Sequence, residues 1–319
     1  MIGPLLLLGY AFAVSWLAVH VLSAASWPRR APGLAILAWL AATSSVALSV
    51  LLAGVLLALP QLPWSDSLAE VLRTCVVEFR HQYQTPAGAA ASLLGGAAAA
   101  LIAVRVGAAS VSEVVTTYRS RTRHLTSIGV LLVAGSLPDP RMLTLECECP
   151  LVYCVPGRRR RVVVTTGALG ALTPDQLDSV LAHEARHLRA RHDLALLAAR
   201  ILRRACGRFA VFTLAVAMIA DLAEMHADDA VAPDRRRSLA SALVALAGAP
   251  APRGAMGAGG AGAVERVRRL AHPPRRLSRG SCGAVAIAVA TVVVLPVPMA
   301  GAPAVVAILV DCCRAVLAG

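Results

Sequence analysis

The sequence contains no lysine and no asparagine, so all 31 basic residues are arginines. Such one-sided usage is that of a GC-rich genome. The arginine count therefore identifies no nucleic-acid ligand, and no nucleic-acid-binding motif accompanies it, so direct nucleic-acid binding is not expected. Charge is scarce: 15% of the 319 residues are charged and 57% are hydrophobic. That balance excludes a single soluble globule and implies an integral membrane protein. The eight cysteines include no C-x-x-C pair and no regular framework, which excludes a disulfide scaffold. Cys147, Cys149 and Cys154 lie close together, but their spacing fits no common zinc pattern and their stretch reads as strand. They are expected to be reduced thiols.

What is present is a set of long apolar runs. Residues 3–26 form one long enough to cross a bilayer. No basic n-region precedes it and no small-residue cleavage site ends it, so it reads as a retained helix, with His20 near its interfacial end. A second run covers 34–59, closed by Pro60 and Pro63, and a third covers 89–109, with Arg105 placed to snorkel from its end. The last covers 281–305, its outer half made irregular by Pro296, Pro298 and Pro303. The 209–223 run is apolar but short, and reads as a buried or membrane-facing helix. Arg29 and Arg30 follow the first run, and the large Arg-rich segment follows the third. Two crossings separate them, so they share a side, which the positive-inside rule makes cytoplasmic. The division is then a membrane region 1–111 with three transmembrane helices, a cytosolic domain 112–280, and a C-terminal transmembrane helix with a short tail, 281–319. Both termini and the 64–87 loop lie outside.

The polar segment begins "TTYRSRTRHL" and continues with strand-like runs "IGVLLVAG", "RMLTLECE", "LVYCVPG" and "RVVVTTGAL". Pro156-Gly157 and the four arginines after it mark a hairpin turn. Residues 172–205 read as one long helix, with Thr173 as N-cap, Pro174 at the first helical position and Gln176 completing a capping box. Further helices are expected over 209–231 and 236–247, then a Gly/Ala/Pro linker over 248–263 and a short basic helix ending before Pro273.

Within the long helix stands "SVLAHEARHLRARHD", residues 179–193, containing H-E-x-x-H. Four residues apart on a helix, His183 and His187 project from one face, where two imidazoles can reach one Zn²⁺. Glu184, beside them, is placed to serve as general base without occupying a coordination position. A third protein ligand is needed. Asp193 sits where H-E-x-x-H-x-x-G-x-x-D would put it, but Ala190 replaces the turn glycine in what reads as an uninterrupted helix. His192 points partly away from the pair. Glu224, in "DLAEMHADDA", comes from a later helix and is preferred. Asp228, one turn on, is placed to accept the free ring N–H of a ligand histidine. Asp221 and Asp229 read as surface acids, and His226 faces elsewhere. The donor for the developing oxyanion stays open among His192, His226 and several arginines. "RVVVTTG" offers an edge to an extended substrate, or is an internally paired strand.

The stretch "VYCVPGRRRRVVVTTGALGALTPDQLDSVLAHEARHLRARHD", with "EMHADDA" and "VERVRRL", resembles the BlaR/MecR-type membrane zinc metallopeptidases and, more distantly, the HtpX and CAAX prenyl protease gluzincins. The resemblance covers roughly residues 145–275. It implies an α-helical membrane protein, about four transmembrane helices, with an inserted α+β zincin-like metallopeptidase domain. It implies one Zn²⁺ per chain on His183, His187 and Glu224, Glu184 as catalytic base and Asp228 behind the ligands. It also implies cleavage of a cytosolic protein such as a BlaI-like repressor, or of the chain itself. The sequence stops at Gly319, so no penicillin-binding sensor domain is expected. A non-catalytic membrane signalling protein that keeps the zinc fold is the alternative, and a transporter with a cytosolic domain is a further rival. The rival's spans should carry ionisable or Gly/Pro-broken segments at mid-depth; the first three here do not show that clearly, while the Pro-rich outer half of the fourth keeps this rival open.

Overall fold

The computed structural model describes residues 2–58, 85–129, 142–157, 161–246, 256–257 and 263–301. Most of the "IGVLLVAG" run, most of the 64–87 loop, nearly all of the 248–263 linker and the end of the last apolar run lie outside the described residues.

Helix α1 (Ile2–Leu17) ends in a wider turn, Ala18–Leu22, and a tight bend returns the chain into α2 (Pro32–Ala58). Helix α3 (Pro86–Gly129) packs on α2 where both carry glycine. A Cβ on Gly95 would collide with Leu57 Cβ and stand 2.9 Å from the Gly54 carbonyl oxygen, so only glycine permits this approach. The "TTYRSRTRHL" stretch belongs to α3, which runs on well past the apolar segment.

The chain then forms β1 (Met142–Leu145), β2 (Val152–Val155) and β3 (Arg161–Thr165), the short α4 (Thr166–Ala171), and α5 (Pro174–Ala190). Thr173 caps α5 with the full reciprocal box through Gln176. The expected single helix over 172–205 is broken at Arg191, whose φ of 54° and ψ of 43° are left-handed. Helix α6 (His192–Cys206) starts there, and α7 (Ala210–Asp228), α8 (Arg236–Ala245), β4 (Met256–Gly257), α9 (Ala263–Ala271) and α10 (Arg279–Val294) follow.

The sheet order is β1-β3-β2-β4, with β1 parallel to β3 and the other pairs antiparallel. Strand alternation sends Val152, Cys154, Val162 and Val164 to one face, where α5, α8 and α9 supply Val180, Leu239, Leu243 and Leu270. Tyr153, Val155 and Val163 pack on the other face with Leu145. Just past β1, Cys147 and Cys149 are joined by a disulfide, which corrects the expectation of reduced thiols there. The bend brings their Cα atoms to 5.4 Å, within bonding reach, and the Thr166 hydroxyl holds both the amide and the carbonyl of Cys147. Cys154 is a free, buried thiol.

A second core joins α1, α2, α6 and α7 through Trp39, Phe212, Ala215, Ile219 and Ala199. Helix α6 runs back along α3, held by Arg121–Asp193 at 3.2 Å and Arg204–Glu113 at 3.4 Å. Arg105 does not snorkel away: its Nε donates to the Ala205 carbonyl at 2.6 Å, a cation at the exposed carbonyls of a helix end. Helix α10 is fixed to the bundle because Tyr10 Oη and Ser45 Oγ both donate to the Val292 carbonyl, at 2.8 and 2.6 Å.

Five described helices are long and apolar enough to cross a membrane: Ile2–Leu22, Pro32–Ala58, Pro86–Ser127, Ala210–Asp228 and Arg279–Gly301. Exposed apolar side chains cover the outer faces of α1 (Leu5, Phe12), α3 (Leu94, Leu101) and α10 (Ile287). The fourth of these, α7, is the run expected to be too short. Its last turns carry Glu224 and Asp228 toward α5 and α9, which a lipid-facing helix would not do.

Candidate metal centre

Helix α5 presents His183 and His187 inward from one face, and both are buried. Their Nε2 atoms stand 3.1 Å apart. From α7, the Glu224 carboxylate approaches so that Oε2 lies 3.5 Å from His183 Nε2 and Oε1 lies 3.5 Å from His187 Nε2. Ligands at about 2.0–2.1 Å from a tetrahedral zinc are about 3.3–3.4 Å from each other. The carboxylate contacts match that spacing, each through a different oxygen, and this His-His-Glu set, whose ligand atoms all lie within 4.8 Å of one another, is the group among the described residues that could hold a metal ion. It leaves one position open.

His183 is steered from behind, with its Nδ1 3.0 Å from Asp228 Oδ1. Burial penalises the His183 cation, but hydrogen bonds to Asp228 and Glu224 outweigh that and hold its pKa up, at about 9. His187 goes the other way: burial, with His183 nearby, pushes it down to about 3. The other ring nitrogen of His187 meets His192 Nδ1 at 2.8 Å, His192 Nε2 meets His226 Nδ1 at 3.0 Å, and His226 Nε2 meets Arg186. A hydrogen-bonded file of imidazoles therefore runs from the donor set to the surface of α5.

Glu184 is fully buried beside the pair, and neither carboxylate oxygen has a hydrogen-bond partner among the described residues. Burial raises its pKa to about 7 against the pull of the His183 cation. An orphaned carboxylate at a donor set is what a substrate water or a metal would satisfy. Across from it, Cys154 on β2 is pushed far up, first by burial and then by the Glu184 carboxylate.

Other acids are accounted for elsewhere. Asp193 turns to Arg121 at 3.2 Å and Arg191 at 3.4 Å. It is out of the donor set because of the left-handed turn, not because the helix continues. Asp229 pairs with Arg269 at 2.9 Å. Strand β3 is flanked by β1 and β2, so "RVVVTTG" is internally paired and offers no edge. Strand β2 stands next over α5, and β4 covers its outer side.

Sequence reasoning missed Arg266. From α9 it donates Nε and Nη2 to the two Asp228 oxygens at 3.0 and 2.7 Å, and its Nη1 lies 2.9 Å from Glu224 Oε2. It is 4% exposed. The available signal was an arginine set among Val264, Val267 and Leu270, on a helix read from the sequence as short and basic.

Residues 152–250 match the family model described as Peptidase family M48. The chain is also similar to a protein described as "Protease HtpX homolog" from Acidiphilium cryptum (strain JF-5), 33% identical over 88 residues, which are 27% of this chain and 30% of that relative. The chain thus matches less than a third of that relative's length. No solved structure matches. The region matched by that family model holds His183, Glu184, His187, Glu224 and Asp228 together with strands β2 and β3.

Proposed function

We propose that the protein is a multi-pass membrane zinc endopeptidase in which His183, His187 and Glu224 hold one Zn²⁺, Glu184 is the catalytic base and Asp228 orients His183. The observation that carries this reading is the convergence of two imidazole Nε2 atoms, 3.1 Å apart, with the Glu224 carboxylate, a different oxygen of which lies 3.5 Å from each, beside an orphaned carboxylate.

Zinc, when bound, supplies Lewis acidity at the open position. Glu184 takes a proton from the attacking water and returns it to the leaving amine. Its raised pKa keeps that exchange close to neutral pH. The walls of α5, β2 and α9 exclude bulk water. An extended substrate would pair with the outer edge of β2 in place of Met256–Gly257.

Cytosolic placement of the peptidase region, with both termini outside, is supported by the meeting of the Arg-rich connections at one end of the bundle: Arg29 pairs with Glu265, and Arg30 donates to the Arg275 carbonyl. A regulatory role, with a BlaI-like repressor or the chain itself as substrate, rests on the sequence resemblance.

Wild-type protein in membranes should carry one zinc and cleave; Glu184→Gln should keep the zinc and lose cleavage by roughly 10²–10⁴-fold. Unchanged cleavage in Glu184→Gln would remove the peptidase reading, and a protein that holds zinc but cleaves nothing in either form would be the non-catalytic alternative.

A further inference from the structure

Beyond the metal centre, and independent of the peptidase reading, four arginines line one open cavity of about 590 Å³. Arg30 comes from the bend between α1 and α2, Arg186 and Arg189 from the end of α5, and Arg276 from the segment before α10. Among the described residues none of the four forms an ion pair. Arg30 donates to a carbonyl, Arg189 lies 3.4 Å from the Ala185 carbonyl, and Arg186 meets His226 while its Nε is buried without a partner. The one carboxylate on the wall, Asp229, is already held by Arg269. A concave site with this much uncompensated positive charge is complete only with an anion, and guanidinium forks suit phosphate oxygens.

The height of the cavity selects the kind of anion. Tyr10, Ser45 and Val292 are bonded at one level of the bundle. Thirteen residues separate each of them from Ser23, Pro32 and Arg279 respectively, about 20 Å at the helical rise. Helices α2 and α10, which line the cavity, therefore reach it at the same depth, the end of their apolar segments, and the chain leaves α1 and its wider turn at that level. Leu34, Leu277 and Cys282 form its apolar wall on the side of the helices. Charge on one side and lipid-facing helices on the other fit an amphiphile better than a free ion.

We propose that this cavity binds the phosphate of an anionic phospholipid from the leaflet in which α1, α2 and α10 end. Full-length protein in nanodiscs of mixed phosphatidylglycerol and phosphatidylcholine, released for native mass spectrometry, should retain phosphatidylglycerol in preference. Arg30→Gln/Arg276→Gln should reduce that retention roughly tenfold. Arg189→Gln, at an exposed arginine, should give an intermediate loss with an unchanged melting midpoint. Arg29→Gln/Arg279→Gln removes the same charge at the same depth outside the cavity and should behave as wild type. No lipid preference in the wild type, full retention in Arg30→Gln/Arg276→Gln, or equal loss in both double variants would overturn the site. Inorganic phosphate distinguishes the source: if it protects detergent-solubilised wild type against heat as well as short-chain phosphatidylglycerol does, the lipid assignment falls.

Discussion

Asp228 Oδ1 lies 3.0 Å from His183 Nδ1, and the same buried carboxylate receives two nitrogens of Arg266. One side chain thus fixes the ring orientation of a candidate ligand and is itself fixed by a guanidinium. Asp228→Asn keeps the shape and can still accept from His183, but loses the charge that raises its basicity. Zinc affinity should fall about 10–100-fold while the fold survives. Competition with a chromogenic chelator measures this; unaltered affinity would mean that His183 needs no partner behind it.

Zinc binding should release protons. His183 is held as a cation up to about pH 9 by Asp228 and Glu224, and a ligand imidazole must be neutral at the donating nitrogen. Below pH 9 the proton on Nε2 competes with metal, so affinity should tighten by about tenfold per pH unit from 7 to 9 and level off above. The apo protein carries the converse sign. A histidine whose folded pKa is raised contributes stability that is complete below about pH 6.5 and lost as pH rises through about 9. Melting curves with and without zinc over that range should diverge as pH rises. Parallel curves would place His183 outside the metal's coordination.

Arg266 should matter more to the folded state than its place in a basic helix suggests. Its guanidinium is bonded to Asp228 and lies against Glu224. Arg266→Met leaves the buried Asp228 and the partly buried Glu224 without it, a loss of roughly 3–5 kcal/mol in the apo protein. Zinc offsets part of that at Glu224, so the deficit should shrink when metal is bound. Differential scanning calorimetry of both forms tests this, and a metal-independent deficit would separate Arg266 from the donor set.

The parts of the centre carried by local pattern were legible in the sequence. The H-E-x-x-H spacing gives the imidazole pair, and the Thr173/Gln176 box marks where its helix begins. Reading Glu224 beside them needed a second helix of the right face. Beyond that pairing, what could not be read was how elements meet. Arg266 owes its burial to α9 packing against α7, and β3 is interior because β1 pairs parallel to it from across β2. Cys147 and Cys149 adjoin because the chain bends after β1. Helix α7 looked short only because its polar end was counted against it; polar residues there face a protein site.

The break at Arg191 was the least visible feature, since an arginine in left-handed conformation carries no composition signal. The apolar periodicity runs across it without interruption. Yet the break sets the site: it turns His192 onto His187 and sends Asp193 toward Arg121. Left-handed backbone costs a non-glycine residue about 1–2 kcal/mol. Glycine would relieve that cost but loses about 0.5–1 kcal/mol to chain entropy, and the Arg191–Asp193 pair goes with it. Arg191→Gly should therefore leave stability within about 1 kcal/mol of wild type, whereas Arg191→Val, β-branched and ill-suited to positive φ, should lose about 1–3 kcal/mol. Thermal melts of the two variants decide it. If valine were tolerated as well as glycine, α5 and α6 would be one continuous helix and His192 would leave the imidazole file.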